Sequence, residues 1–191
     1  DRFFTSTDSS YLHRVRASVE AQGREIPMLC YSPDFTKPEA DARRREIDKQ
    51  IKMIHVAAEL GVGYCRTLSG QRRPDVSIEQ GVEWVVECIE SCIPAAEQAG
   101  DKLVIENHYK DGYWTHREFA QKSDVFLRIV NAIESPCFGV QFDPSNSIVA
   151  GEDPIMLLDN VLPRVMTMHA SDRYLTGGAT LDDLYESDGT V

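Results

Sequence analysis

Short apolar runs, each followed by a longer amphipathic stretch, repeat along this chain, and that rhythm restricts the fold more than any other feature. Runs that read as strands begin near residues 26, 63, 102, 138 and 164, at intervals of 37, 39, 36 and 26 residues. They are 25–32 (EIPMLCYS), 63–68 (GYCRTL), 102–106 (KLVIE), 138–142 (FGVQF) and 164–168 (RVMTM). Between them apolar residues recur every three or four positions. Leu12, Val15 and Val19 do so within 11–21, Ile47, Ile51, Ile54 and Ala58 within 38–60, and Ile78, Val82, Val85, Ile89 and Ile93 within 77–99. Further helices are expected over 123–133 and 154–161. Thr36 before Glu39, Ser77 before Gln80 and Thr115 before Glu118 each have capping-box spacing, and Gly61 stops the second helix. Strands without polar alternation need cover on both faces, so the pattern reads as an α/β protein with parallel strands under helices.

No linker interrupts the repeat, so the 191 residues read as one domain. Five βα units could make an open doubly wound sheet, whereas eight close a barrel of about 250 residues. A hydrophobic content of 42% is enough for a packed core. Twenty basic against thirty-one acidic side chains leave a formal charge of −11, which opposes broad contact with nucleic acid or anionic lipid. No apolar run is long enough to span a membrane, and residues 1–10 lack the basic start and apolar core of a signal peptide. The five cysteines (Cys30, Cys65, Cys88, Cys92, Cys137) are scattered and form no CxxC pair, so they read as reduced thiols of a cytoplasmic protein.

In parallel α/β proteins reactive side chains gather where strands end, because the rigid sheet holds the loops there. The third run ends in LVIENHY, with Glu106 and His108 at its rim; the fourth ends in FDPSN, with Asp143 and Asn146; the fifth ends in MHASDR, with His169, Asp172 and Arg173. Three consecutive strands thus deliver a carboxylate, a carboxylate and an imidazole to one end. Two oxygens and one nitrogen suit one divalent ion, Mn, Mg, Co or Zn, with room for substrate or water. Competing readings stay open at this point: Asp143 before Pro144 as a turn cap, His169 as a hydrogen-bonded core histidine, Arg173 as the partner of Asp172. Trp114, with Tyr109 and Tyr113, reads either as an apolar wall for a sugar ring or as loop packing. Arg66 reads as a structural ion pair or as a group reaching the pocket. His13, His55 and His116 read as unrelated helix residues, and Gly177-Gly178 is a loop signal.

The ENH at 106–108, the FDPSN at 142–146 and the MHASDR at 168–173 resemble the xylose-isomerase-like TIM barrel family of divalent-metal sugar isomerases and epimerases. That group includes ketose 3-epimerases, hydroxypyruvate isomerase and inosose dehydratase. The resemblance implies a (β/α)8 TIM barrel of which this chain covers about strands three to seven, as one domain over 1–191 that is incomplete at both ends. It implies Glu106, Asp143 and His169 as metal ligands, with Glu106 also the catalytic acid/base. It implies that His108, Asn146, Arg173 and Trp114 contact substrate or orient a ligand. Two departures stand out. No eighth strand with its second Glu follows Arg173, where the polar stretch 174–191 resembles a loop insertion. Asn146 stands where many epimerases have His.

The reaction implied is proton abstraction next to a carbonyl, through a metal-bound enediolate, on a small sugar or polyol. Three alternatives remain: a dehydratase or lyase of a keto-sugar or inosose on the same site, a nuclease of the endonuclease IV type, and a metal-free binding or structural barrel. The nuclease would need further His and Glu ligands for three zinc ions and a basic face, both at odds with this composition. The sequence leaves self-association into a homo-oligomer open.

Overall fold

The apolar runs pair side by side as five parallel strands, in a computed structural model that describes residues 5–173. The order is α1 (Ser9–Glu20), β1 (Leu29–Cys30), α2 (Ala40–Leu60), β2 (Tyr64–Thr67), α3 (Ile78–Ala99), β3 (Lys102–Glu106), α4 (Ser123–Ala132), β4 (Phe138–Phe142), α5 (Pro144–Val149), α6 (Pro154–Val161), a 3₁₀ turn (Leu162–Arg164) and β5 (Val165–Met168). The strands lie in the sequence order β1-β2-β3-β4-β5. A doubly wound sheet reverses its order at a switch point, and this one does not. Helices α1, α2, α3, α4 and α6 pack each on the next, as in the outer layer of a (β/α) barrel. The sheet is therefore an arc of a barrel, with β1 and β5 at its open edges.

The two faces of the strands differ by the period of two. Leu103, Ile105, Phe138, Val140 and Phe142 are buried against the helices, in one core with Ile54, Val85, Ile89, Phe126 and Ile129. On the concave face, Arg66, Val104 and Gly139 share one row, and Glu106, Gln141 and Thr167 the next. Across this face Thr167 Oγ1 of β5 lies 3.9 Å from the sulfur of Met28, the residue before β1.

Three local expectations fail for physical reasons. The first strand shrinks to two paired residues, because it lies at an edge and carries Pro27, which has no N–H to donate. The Thr36 hydroxyl does not cap α2. It is fully buried and donates to Gln71 O at 2.7 Å, joining the loops after β1 and β2. The helix expected from Thr115/Glu118 does not form, because Glu118 pairs with Gln71 in an antiparallel bridge. His116 accordingly lies in a loop rather than on a helix. Ser77 does cap α3, accepting from Gln80 N at 3.1 Å. Among the described residues, no helix is long and apolar enough to cross a membrane.

Candidate functional site

Three strand ends converge on the concave side. Glu106 is the last residue of β3, in the inward row with Gln141, and only 2% exposed. Asp143 follows β4 two residues after Gln141, so it points the same way. His169 needs one more device. Val140 pairs with Val165, but Gln141 pairs with Thr167, leaving Met166 as an extra residue in β5. That bulge reverses the parity of the strand, since a one-residue slip sends side chains to the opposite face. Val165 packs toward the helices while Thr167, and two residues later His169, face the concave side. Gly139 makes the bulge possible: a Cβ there would lie 2.6 Å from Met166 Sδ.

Within this corner His169 Nδ1 lies 3.3 Å from Glu106 Oε1 and 3.3 Å from Asp143 Oδ2. The carboxylates divide their oxygens. Asp143 Oδ1 caps α5, accepting from Ser145 N (2.9 Å) and Asn146 N (3.3 Å), and takes the Ser145 and Ser171 hydroxyls at 2.8 and 2.5 Å. Its Oδ2 is left facing His169, so the cap and the site role coexist in one residue. Glu106 Oε2 takes Arg66 Nη1 at 2.5 Å, and Oε1 takes Asn146 Nδ2 at 3.2 Å. Burial by itself would raise the Glu106 carboxyl. The hydrogen bond from His108 and the charges of Arg66, His108 and His169 outweigh it and hold the group down at about 2.

Other residues singled out from the sequence fall at different distances from this corner. His108 Nδ1 is 3.5 Å from Glu106 Oε1 and 3.4 Å from Asn146 Nδ2, so His108 and Asn146 both line it. Arg173 lies with its guanidinium 5.0 Å from the centre of the Tyr109 ring, itself 5.3 Å from the His108 ring. The Asp172 carboxylate takes the backbone N–H of Arg173 at 2.8 Å. Trp114 is half-buried in the loop after Tyr109, its N–H bonded to Asp111 O at 3.0 Å, and Tyr113 is 72% exposed. His13 pairs with Glu59 on the outer helices, away from the site. Gly177-Gly178 and the rest of 174–191 lie outside the described residues.

Arg66, which the sequence left as a structural ion pair or a group reaching the pocket, is both, and three further members of the corner escaped sequence reasoning. Arg66 is a buried partner of Glu106, with Nη2 on Ser32 Oγ at 3.0 Å. Asn107 bridges strand ends, accepting from Asp143 N at 2.7 Å and donating to Asp143 O at 2.8 Å. Glu118 and Ser171 enter from other loops. Nothing in their local sequence marks them, because each acts by pairing with a distant segment. The short helix α5 did leave a signal, a capping Asp143 followed by Pro144 at the first helical position.

Glu106, Asp143 and His169 each offer an atom within 4.8 Å of the others, the one such group among the described residues. Two donors about 2.1 Å from a shared ion stand about 3.0 Å apart at a right angle and about 3.4 Å apart at the tetrahedral angle. The 3.3 Å separations seen here fit that spacing. The hard oxygen and imidazole donors suit a divalent ion of the Mn, Mg, Co or Zn kind.

Comparison with known proteins identifies the family of the fold. The family model of the xylose isomerase-like TIM barrel matches residues 1–189. A probable endonuclease 4 of Campylobacter concisus is 25% identical over 146 residues, covering 74% of this chain and 50% of that protein. A 3-oxo-isoapionate decarboxylase of Pectobacterium atrosepticum is 25% identical over 134 residues, covering 70% of this chain and 44% of that protein. The chain thus spans about half the length of these curated relatives. Among solved structures, a D-tagatose 3-epimerase-like protein superposes with a TM-score of 0.75 at 16% identity, covering 87% of this chain and 63% of that one.

Proposed function

The chain belongs to the xylose isomerase-like TIM barrel family, and from that premise we propose that it is the central stretch of a divalent-metal sugar isomerase or epimerase. In this reading β1 to β5 are the third to seventh strands of one barrel. Glu106, Asp143 and His169 hold the ion, and the observation that carries this is their convergence within 4.8 Å at three consecutive strand ends. A bound divalent ion supplies Lewis acidity to a carbonyl and a neighbouring hydroxyl oxygen, which acidifies the C–H beside them.

The chain's own residues then have separate tasks. Glu106 holds the ion through Oε1, beside His169, and takes or returns a proton at Oε2, where the Arg66 guanidinium keeps the carboxylate charged. His108 and Asn146, both beside Glu106 Oε1, orient that oxygen or bond a substrate hydroxyl. Arg173 and Tyr109 close the side between the loops after β3 and β5, with Trp114 further along the first loop. The substrate class is a small ketose or related polyol, handled in the cytoplasm. A charge of −11 argues against nucleic acid as substrate despite the likeness to an endonuclease 4.

A lyase reading has one observation in its favour, the 25% identity to a decarboxylase. Both outcomes pass through a carbanion next to a carbonyl, made by removing a proton in an isomerase and by losing carbon dioxide in a decarboxylase. The experiment that tests the proposal incubates the full-length protein with Mn and a panel of ketoses in deuterated water. Deuterium at carbon beside the carbonyl, lost in Glu106→Gln, supports an isomerase or epimerase. Loss of water or carbon dioxide from the ketose assigns a lyase, whatever deuterium the product carries. No exchange and no product with any ketose, in a protein that binds Mn, would overturn the sugar reading.

A further inference from the structure

Gln71, which neither the metal reading nor the sequence singles out, joins the loops that follow β1, β2 and β3. Every hydrogen-bonding group it has is used. On one side its N–H donates to Asp34 Oδ1 at 3.1 Å, its Nε2 donates to Asp34 Oδ2 at 2.8 Å, and its carbonyl takes the Thr36 hydroxyl. On the other side its Oε1 accepts from the backbone N–H groups of Thr115 and His116, at 2.8 and 3.1 Å. These partners fix the orientation of the amide, because a carboxylate needs a donor and N–H groups need an acceptor. An unbranched amide of this length meets both demands. Glu would set a second carboxylate against Asp34, and Asn is one methylene too short.

Asp34 is a firm anchor. It is 4% exposed, and Arg73 pairs with both its oxygens, at 3.0 and 2.6 Å. The two loops come this close because Gly70 takes a φ of +113°, where a Cβ would lie 2.6 Å from Asp34 Oδ1. On its far side Gln71 holds the segment 109–118, which leaves the corner beside His108 and returns. Glu118 N donates to Tyr109 O at 2.7 Å, closing the neck of this loop, and Trp114 N donates to Asp111 O at 3.0 Å in the turn at its tip. Backbone bonds tie the foot of the return limb to the β2 loop, from Arg72 N to Arg117 O at 2.8 Å and from Phe119 N to Gly70 O at 2.7 Å. Toward the tip the hold passes to a side chain, since the N–H groups that follow Trp114 are the pair on Gln71 Oε1.

We propose that Gln71 is a positioning residue for substrate: through Thr115 and His116 it holds Trp114 and the 109–118 loop as a preformed wall, with Asp34 and Arg73 as its footing. The proposal deepens the sugar reading above and rests on it for what that wall meets. A loop already fixed before binding spares the substrate the entropy of ordering it, so Gln71 contributes to affinity more than to the chemical step. Metal binding stands apart from it, because Glu106 and Asp143 take their hydrogen bonds from other residues.

The first test follows amide hydrogen exchange by NMR in the full-length protein and needs neither substrate nor metal. In Gln71→Ala the Thr115 and His116 amides should exchange faster by about tenfold or more, while the Arg72 amide, bonded backbone to backbone, keeps its protection. Gln71→Glu should loosen the same two amides through repulsion from Asp34. Adding Asp34→Asn supplies a side-chain donor to the new carboxylate and should restore them. The second test takes the ketose that the deuterium screen identifies. Gln71→Ala should raise its KM by about tenfold and leave kcat within about twofold, with Mn affinity unchanged. Wild-type exchange at Thr115 and His116 in a folded Gln71→Ala would overturn the proposal, and so would faster exchange with an unchanged KM. Where Gln71→Ala fails to fold, a Gln71→Glu that Asp34→Asn does not rescue would overturn it. A wild type that turns over no ketose would strike the sugar reading instead, leaving the exchange series to decide whether Gln71 holds the loop.

Discussion

Alternate residues of β3 and β4 live in two different solvents. Leu103, Ile105, Phe138, Val140 and Phe142 pack in the apolar core under the helices, where an apolar side chain of similar volume is acceptable. Glu106, Gln141 and Asp143, on the other face of the same strands, each meet a named polar partner, and removing one leaves the other buried and unsatisfied. One face packs the core and the other carries the polar side chains of the proposed site. The difference teaches that damage to the two faces should separate in experiment.

The largest expected effect is on the helix face. Phe138→Ala empties a fully buried ring position and should cost about 3–5 kcal/mol in denaturant unfolding. Metal affinity of the protein that remains folded should be unchanged. A parallel loss of affinity would break the separation. Glu106→Gln should do the reverse, cutting proton exchange on the substrate by at least about a hundredfold while costing less stability than Phe138→Ala. Retained exchange would remove Glu106 from its acid/base role.

Gly139→Ala probes the seam between the faces. The added methyl meets Met166 and the Arg164 carbonyl, disturbs the β5 bulge and swings His169 from the corner. Metal affinity should fall by about tenfold or more, as when a supporting group is lost. Unchanged affinity would separate the bulge from the aim of His169. Stability should also depend on pH through Glu118. Its folded carboxyl is raised to about 7 by burial, so the folded state holds the proton over a range where the unfolded chain has released it. Stability from this group is full below the usual carboxylate range and is lost as pH rises through about 7, a slope that Glu118→Gln should flatten. Smallest is Ser77→Ala, which removes the α3 cap for about 1 kcal/mol and should leave metal binding alone.

The sequence makes legible whatever depends on local periodicity. Strands β2 to β4 and helices α2 to α4 stand where the apolar spacing puts them. Glu106, Asp143 and His169 are legible as strand-end residues from position alone, though the face that His169 takes is not. What stayed hidden depends on pairing at a distance. Glu118 reads as a helix-cap residue until Gln71, 47 positions earlier, pairs with it as a bridge strand. Thr36 reads likewise until Gln71 O takes its hydroxyl. Asn107 becomes a site residue only because β3 and β4 lie side by side. The bulge at Met166 is the sharpest case, since an unbroken register would have turned His169 toward the helices.

The central claim is that three strand ends hold one ion, and elemental analysis of the full-length protein beside Asp143→Ala tests it most directly. Both would be purified without chelator and then incubated with Mn. The account predicts a single divalent ion per chain in wild type and its loss in the variant, because Asp143 Oδ2 is the oxygen left free for it. No ion in either protein, or equal content in both, would contradict it.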